Sequence, residues 1–466
     1  MPAWGLTEQQ IEARPWDLGP ELLRPHKKIT DPVHGDIPLT RLEAAILDSR
    51  PLQRLRRVRQ LGSVQFVYPG ATHSRFAHAL GALRTAQDLM DVVASQHLSP
   101  SPVPDLFLEW KSKSADDYDR MVGQATVLAR LGGLLHDLGH IPFGHTIEDE
   151  LLILKSHDAN ESRYEILWDQ LMEDLAASGI ERALPEGITE RLRSLILSDG
   201  AGRPEDDYVF VDDIVGNTIC ADLIDYLHRD HYYTGLPFAA GRRFLDSFYV
   251  TPTDHYYHPR HMVVRISRNA QVRADVVSEL FKYLRYRYEL GERVLSHHAK
   301  LAVDVMIGKA MTAWRDGLRD ELGGDTSAAE LEIEKQMLSR SDDGILEYLV
   351  DQSQVHHGST AWSNVGAITN QIQRRSLFKL IGVYTGSEMS EELYGQYKSP
   401  DARAKLEQEA AIYAGLDAEW MVGVWVPDPE MRFKPADVLV DGGDGKTVVT
   451  LAKWDQANGG ARRRNP

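Results

Sequence analysis

Apolar residues recur at every third and fourth position through "RLEAAILDSRPLQRLRRVRQLG" from Arg41 onward, the spacing of a helix that buries one stripe. The same period predicts a helix from about Ser74 to His97. It returns in "YDRMVGQATVLARLGGLLHDLGH", where Met121, Val127, Leu128, Leu131, Leu134, Leu135 and Leu138 share one broad face. This last helix is expected to end near Gly139, because Pro142 lacks an amide hydrogen and cannot continue it. Further helices are predicted through about Leu197, over "ADLIDYLHRD", and as two long rods between Val272 and Leu322. Two-residue alternation in "HMVVRISR" reads as a strand, and the turn residues of "KKITDPVHGDIPLT" predict a short entry hairpin. Farther on, "SLFKLIGVY", "MVGVWVP" and "DVLVDGGDGKTVVTLA" are β-prone, the last as a hairpin. The expected fold is mainly α. A helical body covers 1–330, and a smaller mixed α/β C-terminal lobe covers 331–466, ending in a disordered basic tail, "ARRRNP".

Composition narrows the function. The chain has 466 residues with 42% hydrophobic and 26% charged, an ordinary globular balance. Its formal net charge of −17 argues against an extended nucleic-acid surface, which needs many phosphate-neutralising Lys and Arg. A small anionic substrate held by a few arginines remains compatible with that charge. No apolar run approaches the roughly 18 residues that span a bilayer. The start, "MPAWGLTEQQ", lacks the basic-then-apolar layout of a secretory leader, so a cytoplasmic protein without a membrane partner is expected. The single cysteine, Cys220, excludes an internal disulfide and a cysteine-only metal site. A metal would rest on His, Asp and Glu, which suits Mn, Fe, Mg or Zn.

Three stretches concentrate such side chains. "LLHDLGHIPFGH" carries His136, Asp137, His140 and His145 on an apolar segment; "THSRFAHALG" carries His73, Arg75 and His78; "ADLIDYLHRD" carries Asp222, Asp225 and Asp230. Imidazoles and carboxylates in apolar surroundings form either a hydrogen-bonded core cluster or a metal site. Other signals carry less. "DGGDGKT" ends like a phosphate-binding loop, but the first glycine of that motif is replaced by Val440. Cys220 has no base nearby in sequence and reads as core, and the histidines of "HYYH" at 255–258 read as lining a loop.

The ordered series His78, His136, Asp137 and Asp222 resembles the HD-domain metal-dependent phosphohydrolases, and among them the deoxynucleoside triphosphate triphosphohydrolases, dGTPases included. "DPVHGDI", "LQRLRRVRQLG", "YPGATHSRFAHALG", "LLHDLGHIPFGH", "DLIDYLHRD", "LFKLIGVY" and "FKPADVLV" are similar to that family in its order, over roughly residues 27–450. The resemblance implies one divalent metal on His78, His136, Asp137 and Asp222, with His140, His145 or His157 as ligands if a second ion binds. It implies proton transfer by His145 with Glu148, completed by His157, and His140 beside the metal. Substrate contacts would come from Arg75, Gln60, Tyr226, Asp230 and Arg287. Asp48, Gln53 and Arg56 match residues that hold a guanine activator at subunit interfaces of homo-oligomeric relatives. Two positions depart from the pattern: Leu223 replaces a lysine and Leu295 a tyrosine. The implied reaction is hydrolysis of a dNTP to deoxynucleoside and inorganic triphosphate. The alternatives are a nucleotidase or phosphodiesterase of the same superfamily, and a catalytically weak HD protein that senses nucleotides.

Overall fold

The computed structural model describes residues 5–98, 104–113, 115–180, 184–197, 205–241, 243–268, 271–384, 390–426, 437–442 and 447–459. The architecture is mainly α, as the periodicity predicts. The entry hairpin pairs β1 (Pro25–Asp31) with β2 (Gly35–Thr40) antiparallel and leads into α1 (Arg41–Asp48). Behind it lie α2 (Arg75–Ser95), α3 (Ala115–Leu135) and α4 (Ala221–Thr234). Two glycines set how closely these helices approach. A Cβ added at Gly133 of α3 would lie 2.9 Å from the Ala82 carbonyl of α2, and one at Gly81 would lie 1.8 Å from Asp225 Oδ1 of α4. Neither space admits a methyl group, so α2 is pressed against both partners along the face that carries His78.

The main apolar core runs from Leu6 to Trp454 and encloses these helices. A second core joins Ile141, Phe143 and Ile147 to α5 (His298–Glu321), α6 (Asp342–Val355) and α7 (Thr360–Gln373), so residues on both sides of position 330 pack together. β3 (Phe248–Val250) and β4 (Met262–Val264) are antiparallel. The C-terminal hairpin forms as expected, from β5 (Leu439–Asp441) and β6 (Val448–Thr450). Its β5 runs parallel to β4 at Val264 and Val440, so the hairpin completes a four-stranded sheet in the order β3-β4-β5-β6. The β-prone runs at 376–384 and 422–426 are coil instead of strand. Among the described residues neither finds a pairing partner, and β propensity is realised only against a neighbour. The basic tail at 461–466 lies outside the described residues.

One expected boundary moves. α3 stops at Leu135, four residues before Gly139. The His136 ring meets the Gly133 carbonyl through Nδ1 at 2.9 Å, and the backbone tightens into turns in which Leu138 N–H donates to Leu135 and His140 N–H to Asp137. His136, Asp137 and His140 are therefore presented by a turn beyond the helix end, and His140 does not share a helical face with His136.

A buried ion pair ties the hairpin to the helices. The Arg130 guanidinium on α3 donates to both Glu43 oxygens at 2.6 and 2.7 Å, to the Pro38 carbonyl at 2.9 Å and to Gln87 on α2 at 3.1 Å. Glu43 also completes the capping box of α1 with Thr40. Glu43→Ala would strand a buried guanidinium. It is expected to lower the unfolding free energy by about 3–5 kcal/mol, seen as a lower urea midpoint at unchanged slope, whereas Glu43→Gln retains part of the bonding and loses less.

Candidate metal centre and its cleft

Three elements converge on one buried point: α2 with His78, the turn after α3 with His136 and Asp137, and the first turn of α4 with Asp222. His78 Nε2 lies 3.2 Å from His136 Nε2 and 3.1 Å from Asp222 Oδ1, and His136 Nε2 lies 3.3 Å from Asp137 Oδ1. The donor set itself tests whether a metal fits. His136 Nδ1 faces a carbonyl, which only accepts, so that nitrogen carries the proton and Nε2 presents a lone pair. His78 Nδ1 is engaged by Asp225 Oδ2 at 2.7 Å, which leaves its Nε2 pointing at the same space. Two ring nitrogens and two carboxylates aimed together favour a cation between them, either a proton on His78 or a metal ion in its place. Imidazole nitrogen with carboxylate oxygen is the donor chemistry of Mn, Fe and Zn. Among the described residues, ligand atoms of His78, His136 and Asp137 lie within 4.8 Å of one another.

The electrostatics agree. Burial alone would lower the His78 imidazolium, but hydrogen bonds to Asp222 and Asp225 and the charges of Asp225 and Asp137 lift its pKa to about 10. A field that holds a proton this firmly also favours a metal cation. Burial acts to raise Asp137, yet the neighbouring imidazoles of His136 and His140 and the charge of Arg75 hold its carboxyl well below the usual range. Arg75 Nη1 donates to Asp137 Oδ2 at 2.7 Å, while its buried Nε has no partner.

Next to this point the rings of His140 and His157 stack, with centroids 3.5 Å apart. His140 Nε2 lies 3.3 Å from Asp137 Oδ1. On the other side, His140 Nδ1 and His157 Nδ1 lie 3.7 and 3.5 Å from Glu148 Oε2, and none of the three atoms has a hydrogen-bond partner. Asp137, His140 and His157 form a second group whose ligand atoms lie within 4.8 Å of each other. Burial and the nearby positive charge of Arg75 keep His140 neutral, its pKa well below the usual imidazole value. The other Glu148 oxygen is held by Arg163, which also binds the Gly139 carbonyl at 3.1 Å. The expected pairing of His145 with Glu148 does not form. His145 precedes a π-type turn, Thr146–Glu150, that buries Glu148 and sets Asp149 under the imidazole at 2.7 Å.

A cavity of about 1250 Å³ opens beside the centre. Arg75, His136, Asp137, His140, Asp222 and the rings of His145 and His157 reach it, whereas His78 and Glu148 lie behind its wall. Gln60, Tyr226, Asp230 and Arg287 also line it, so the expected substrate contacts share one space. Gln60 Oε1 is buried there without a partner. Asp230 is held by His73 Nε2 at 2.8 Å, and His73 stacks on Tyr233. Leu223 and Leu295 form apolar parts of the wall. Asp48, Gln53 and Arg56 lie elsewhere. Asp48 pairs with Lys27 at 2.7 Å, and Gln53 accepts from Arg56 at 2.8 Å while the Arg56 guanidinium covers Phe76. Cys220 is buried and its thiol accepts from the Leu223 amide at the start of α4; burial pushes it up to about 12.

The sequence reading gave no role to Asp225. Fully buried, it takes His78 on one oxygen, His34 at 2.5 Å on the other, and Nε and Nη2 of Arg229, each at 2.9 Å. Arg229 in turn binds Asp31 at 2.8 Å, and Asp31 accepts the Val33 and His34 amides of the hairpin turn. Its spacing of three from Asp222 was the available signal, and "DPVHGDI" holds its partner His34. Asp225→Asn is expected to weaken manganese affinity about 10–100-fold, measured by titrating metal-free protein and following free manganese by electron paramagnetic resonance. Unchanged affinity would mean that the His78 ring is held without Asp225.

Residues 75–230 match the family model described as HD domain. The chain is 27% identical to "Deoxynucleoside triphosphate triphosphohydrolase SAMHD1" of Danio rerio, over 82% of this chain and 60% of the relative. It is 27% identical to the Homo sapiens protein of that name over 76% of this chain and 55% of the relative. It is also 23% identical to "Uncharacterized protein YwfO" of Bacillus subtilis, over 95% of this chain and 91% of that protein. The chain thus spans 60% and 49% of the Danio rerio and Dictyostelium discoideum triphosphohydrolase relatives. No described helix is long and apolar enough to cross a membrane. The match covers the segment that carries His78, His136, Asp137 and Asp222, so residues 75–230 are similar to the HD domain, within a chain similar to the deoxynucleoside triphosphate triphosphohydrolases.

Proposed function

We propose that the protein is a metal-dependent phosphohydrolase that cleaves a deoxynucleoside triphosphate to the deoxynucleoside and inorganic triphosphate. The observation that carries this reading is the convergence of His78, His136, Asp137 and Asp222 at the wall of a cleft that also holds Arg75, Gln60, Tyr226 and Asp230. His78, His136, Asp137 and Asp222 would hold a divalent ion, which would supply Lewis-acid polarisation of a phosphoryl oxygen and acidify the attacking water.

The chain's own residues do the rest. Arg75, fixed by Asp137, offers its remaining donors to an α-phosphate oxygen and offsets charge that grows there. Tyr226 and Asp230, one and two turns along α4 from Asp222, are spaced to take the sugar, and Gln60 presents its unpaired oxygen to it. Water oxygen bonds to the α-phosphorus, the bond from phosphorus to the 5′-oxygen breaks, and a proton must reach that oxygen. His145, half exposed in the cleft and backed by Asp149, is the group we assign to deliver it. The stacked rings of His140 and His157, with Glu148 behind them, take up the proton that the attacking water loses. On this reading Arg287 meets the outer phosphates. Asp48, Gln53 and Arg56, on the surface away from the cleft, form the contact for a nucleotide activator in a homo-oligomer.

One observation favours a second reading. Leu223 is a buried apolar group beside Asp222, at the position where the resemblance implies a phosphate-binding lysine. A shorter phosphoester, cleaved by a nucleotidase or phosphodiesterase reaction, needs fewer cations.

Product identity separates the two. Manganese-loaded protein given the four dNTPs together with GTP is expected to release deoxynucleoside and triphosphate, identified by mass spectrometry. The double variant His136→Ala, Asp137→Ala should lose both bound metal and turnover. Release of monophosphate from nucleotides would favour the second reading. Absence of any turnover, with nucleotide-dependent oligomerisation, would point to a sensor and end the enzymatic proposal.

A further inference from the structure

Asp342, outside the metal centre, is a fully buried carboxylate at the first position of α6, in the second core. Its two oxygens serve two different loops. Oδ2 accepts the backbone N–H of Arg59 at 2.9 Å, and Oδ1 accepts the backbone N–H of Phe143 at 3.1 Å. Both loops enter the cleft. The first carries Arg59, Gln60 and Leu61, and the second carries Phe143, Gly144 and His145.

Each loop depends on this anchor for a separate reason. Arg59 forms an isolated bridge with Ser74, the N-cap of α2, and the Gln60 amide donates to the His73 carbonyl at 3.0 Å. Holding the Arg59 amide therefore holds the start of the helix that carries Arg75 and His78, as well as Gln60 itself. Phe143 sits at φ +55°, a left-handed conformation that costs a bulky residue about 1–3 kcal/mol and persists only when its surroundings over-determine it. Burial of the Phe143 ring in the second core and the bond from its amide to Asp342 supply that constraint. The residue that follows Phe143 is Gly144, and the next is His145. The two loops also touch, since a Cβ at Gly62 would lie 3.7 Å from Phe143 Cα. Arg59 adds a side-chain pair with the neighbouring Asp343, which strengthens the same junction.

We propose that Asp342 is a positioning residue that staples the Gln60 loop to the His145 loop, so that the side that holds substrate and the side that delivers the proton keep a fixed separation. It touches neither substrate nor metal. The catalytic consequence rests on the phosphohydrolase reading above, whereas the staple itself does not.

The test uses full-length protein carrying Asp342→Ala and, as the milder change, Asp342→Asn, which keeps one acceptor and turns a donor toward the other amide. Amide hydrogen exchange by mass spectrometry is expected to rise in peptides covering 57–62 and 141–147, and to stay unchanged in α4. Turnover per metal-loaded molecule should fall about 100-fold in the alanine variant, the loss expected when reacting groups shift by about 1 Å. The asparagine variant should fall between it and the parent, with manganese stoichiometry preserved in both. Unchanged exchange in the two loops would overturn the staple. Raised exchange with turnover per folded molecule intact would overturn its positioning role. If the parent protein hydrolyses no nucleotide, the exchange result still decides the staple, and the failure then belongs to the phosphohydrolase reading alone.

Discussion

The structure depends on one electrostatic constraint: an excess of lone pairs and negative charge buried around the His78 ring. Asp225 faces its Nδ1, and Asp222 and Asp137 surround its Nε2 with the Nε2 lone pair of His136. Isolated buried carboxylates are costly unless paired. Part of the pairing comes from cations in the fold, Arg229 on Asp225 and Arg75 on Asp137. The remainder converges on the space between the His78 and His136 rings, which no described side chain fills. On the proposed reading a divalent ion would satisfy that point, making the folded chain and the loaded centre two parts of one electrostatic balance.

Packing turns this requirement into geometry. Gly81 lets α2 approach Asp225, and Gly133 lets α3 approach α2, so His78 and the turn after α3 are brought within ligand distance. Hydrogen bonds then fix ring orientation. Asp225 aims His78, the Gly133 carbonyl aims His136, and the chain of Asp225, Arg229 and Asp31 reaches back to the entry hairpin. A hairpin some 190 residues earlier in the chain, through the His34 to Asp225 separation of 191, thereby helps hold the centre. The cleft side is organised from the opposite direction, where the second core presses Phe143 and the turn at Thr146–Glu150 against α5.

Much of this was legible in the sequence. Helical periodicity marked α2, α3 and α4, and residue types singled out three stretches rich in His and Asp, but the four donors were named through the resemblance to the HD-domain phosphohydrolases. What periodicity could not show was where α3 yields to a turn, since "LLHDLGH" continues the apolar stripe and the break comes from a side chain meeting its own backbone at Gly133. The partner of His145 was equally hidden. Glu148, three residues on, is buried with one oxygen on Arg163, while Asp149, four residues on, meets the His145 ring; both spacings suit a helical turn, so residue spacing alone could not choose between them. Asp225 and Asp342 act through contacts across hundreds of residues, to His34 and to Arg59, and long-range partners are set by tertiary packing alone. Conversely, 376–384 has the composition of a strand without a neighbour to pair with among the described residues, so local preference went unrealised.

The central claim is that the four donors His78, His136, Asp137 and Asp222 hold one divalent ion. The most direct measurement is anomalous diffraction at the manganese edge from crystals of the protein grown with manganese. The account predicts a dominant anomalous peak between His78 Nε2 and His136 Nε2, bounded by the carboxylates of Asp137 and Asp222. A peak seated only between His140, His157 and Glu148, or an absence of any peak at the His78 to His136 gap, would contradict it.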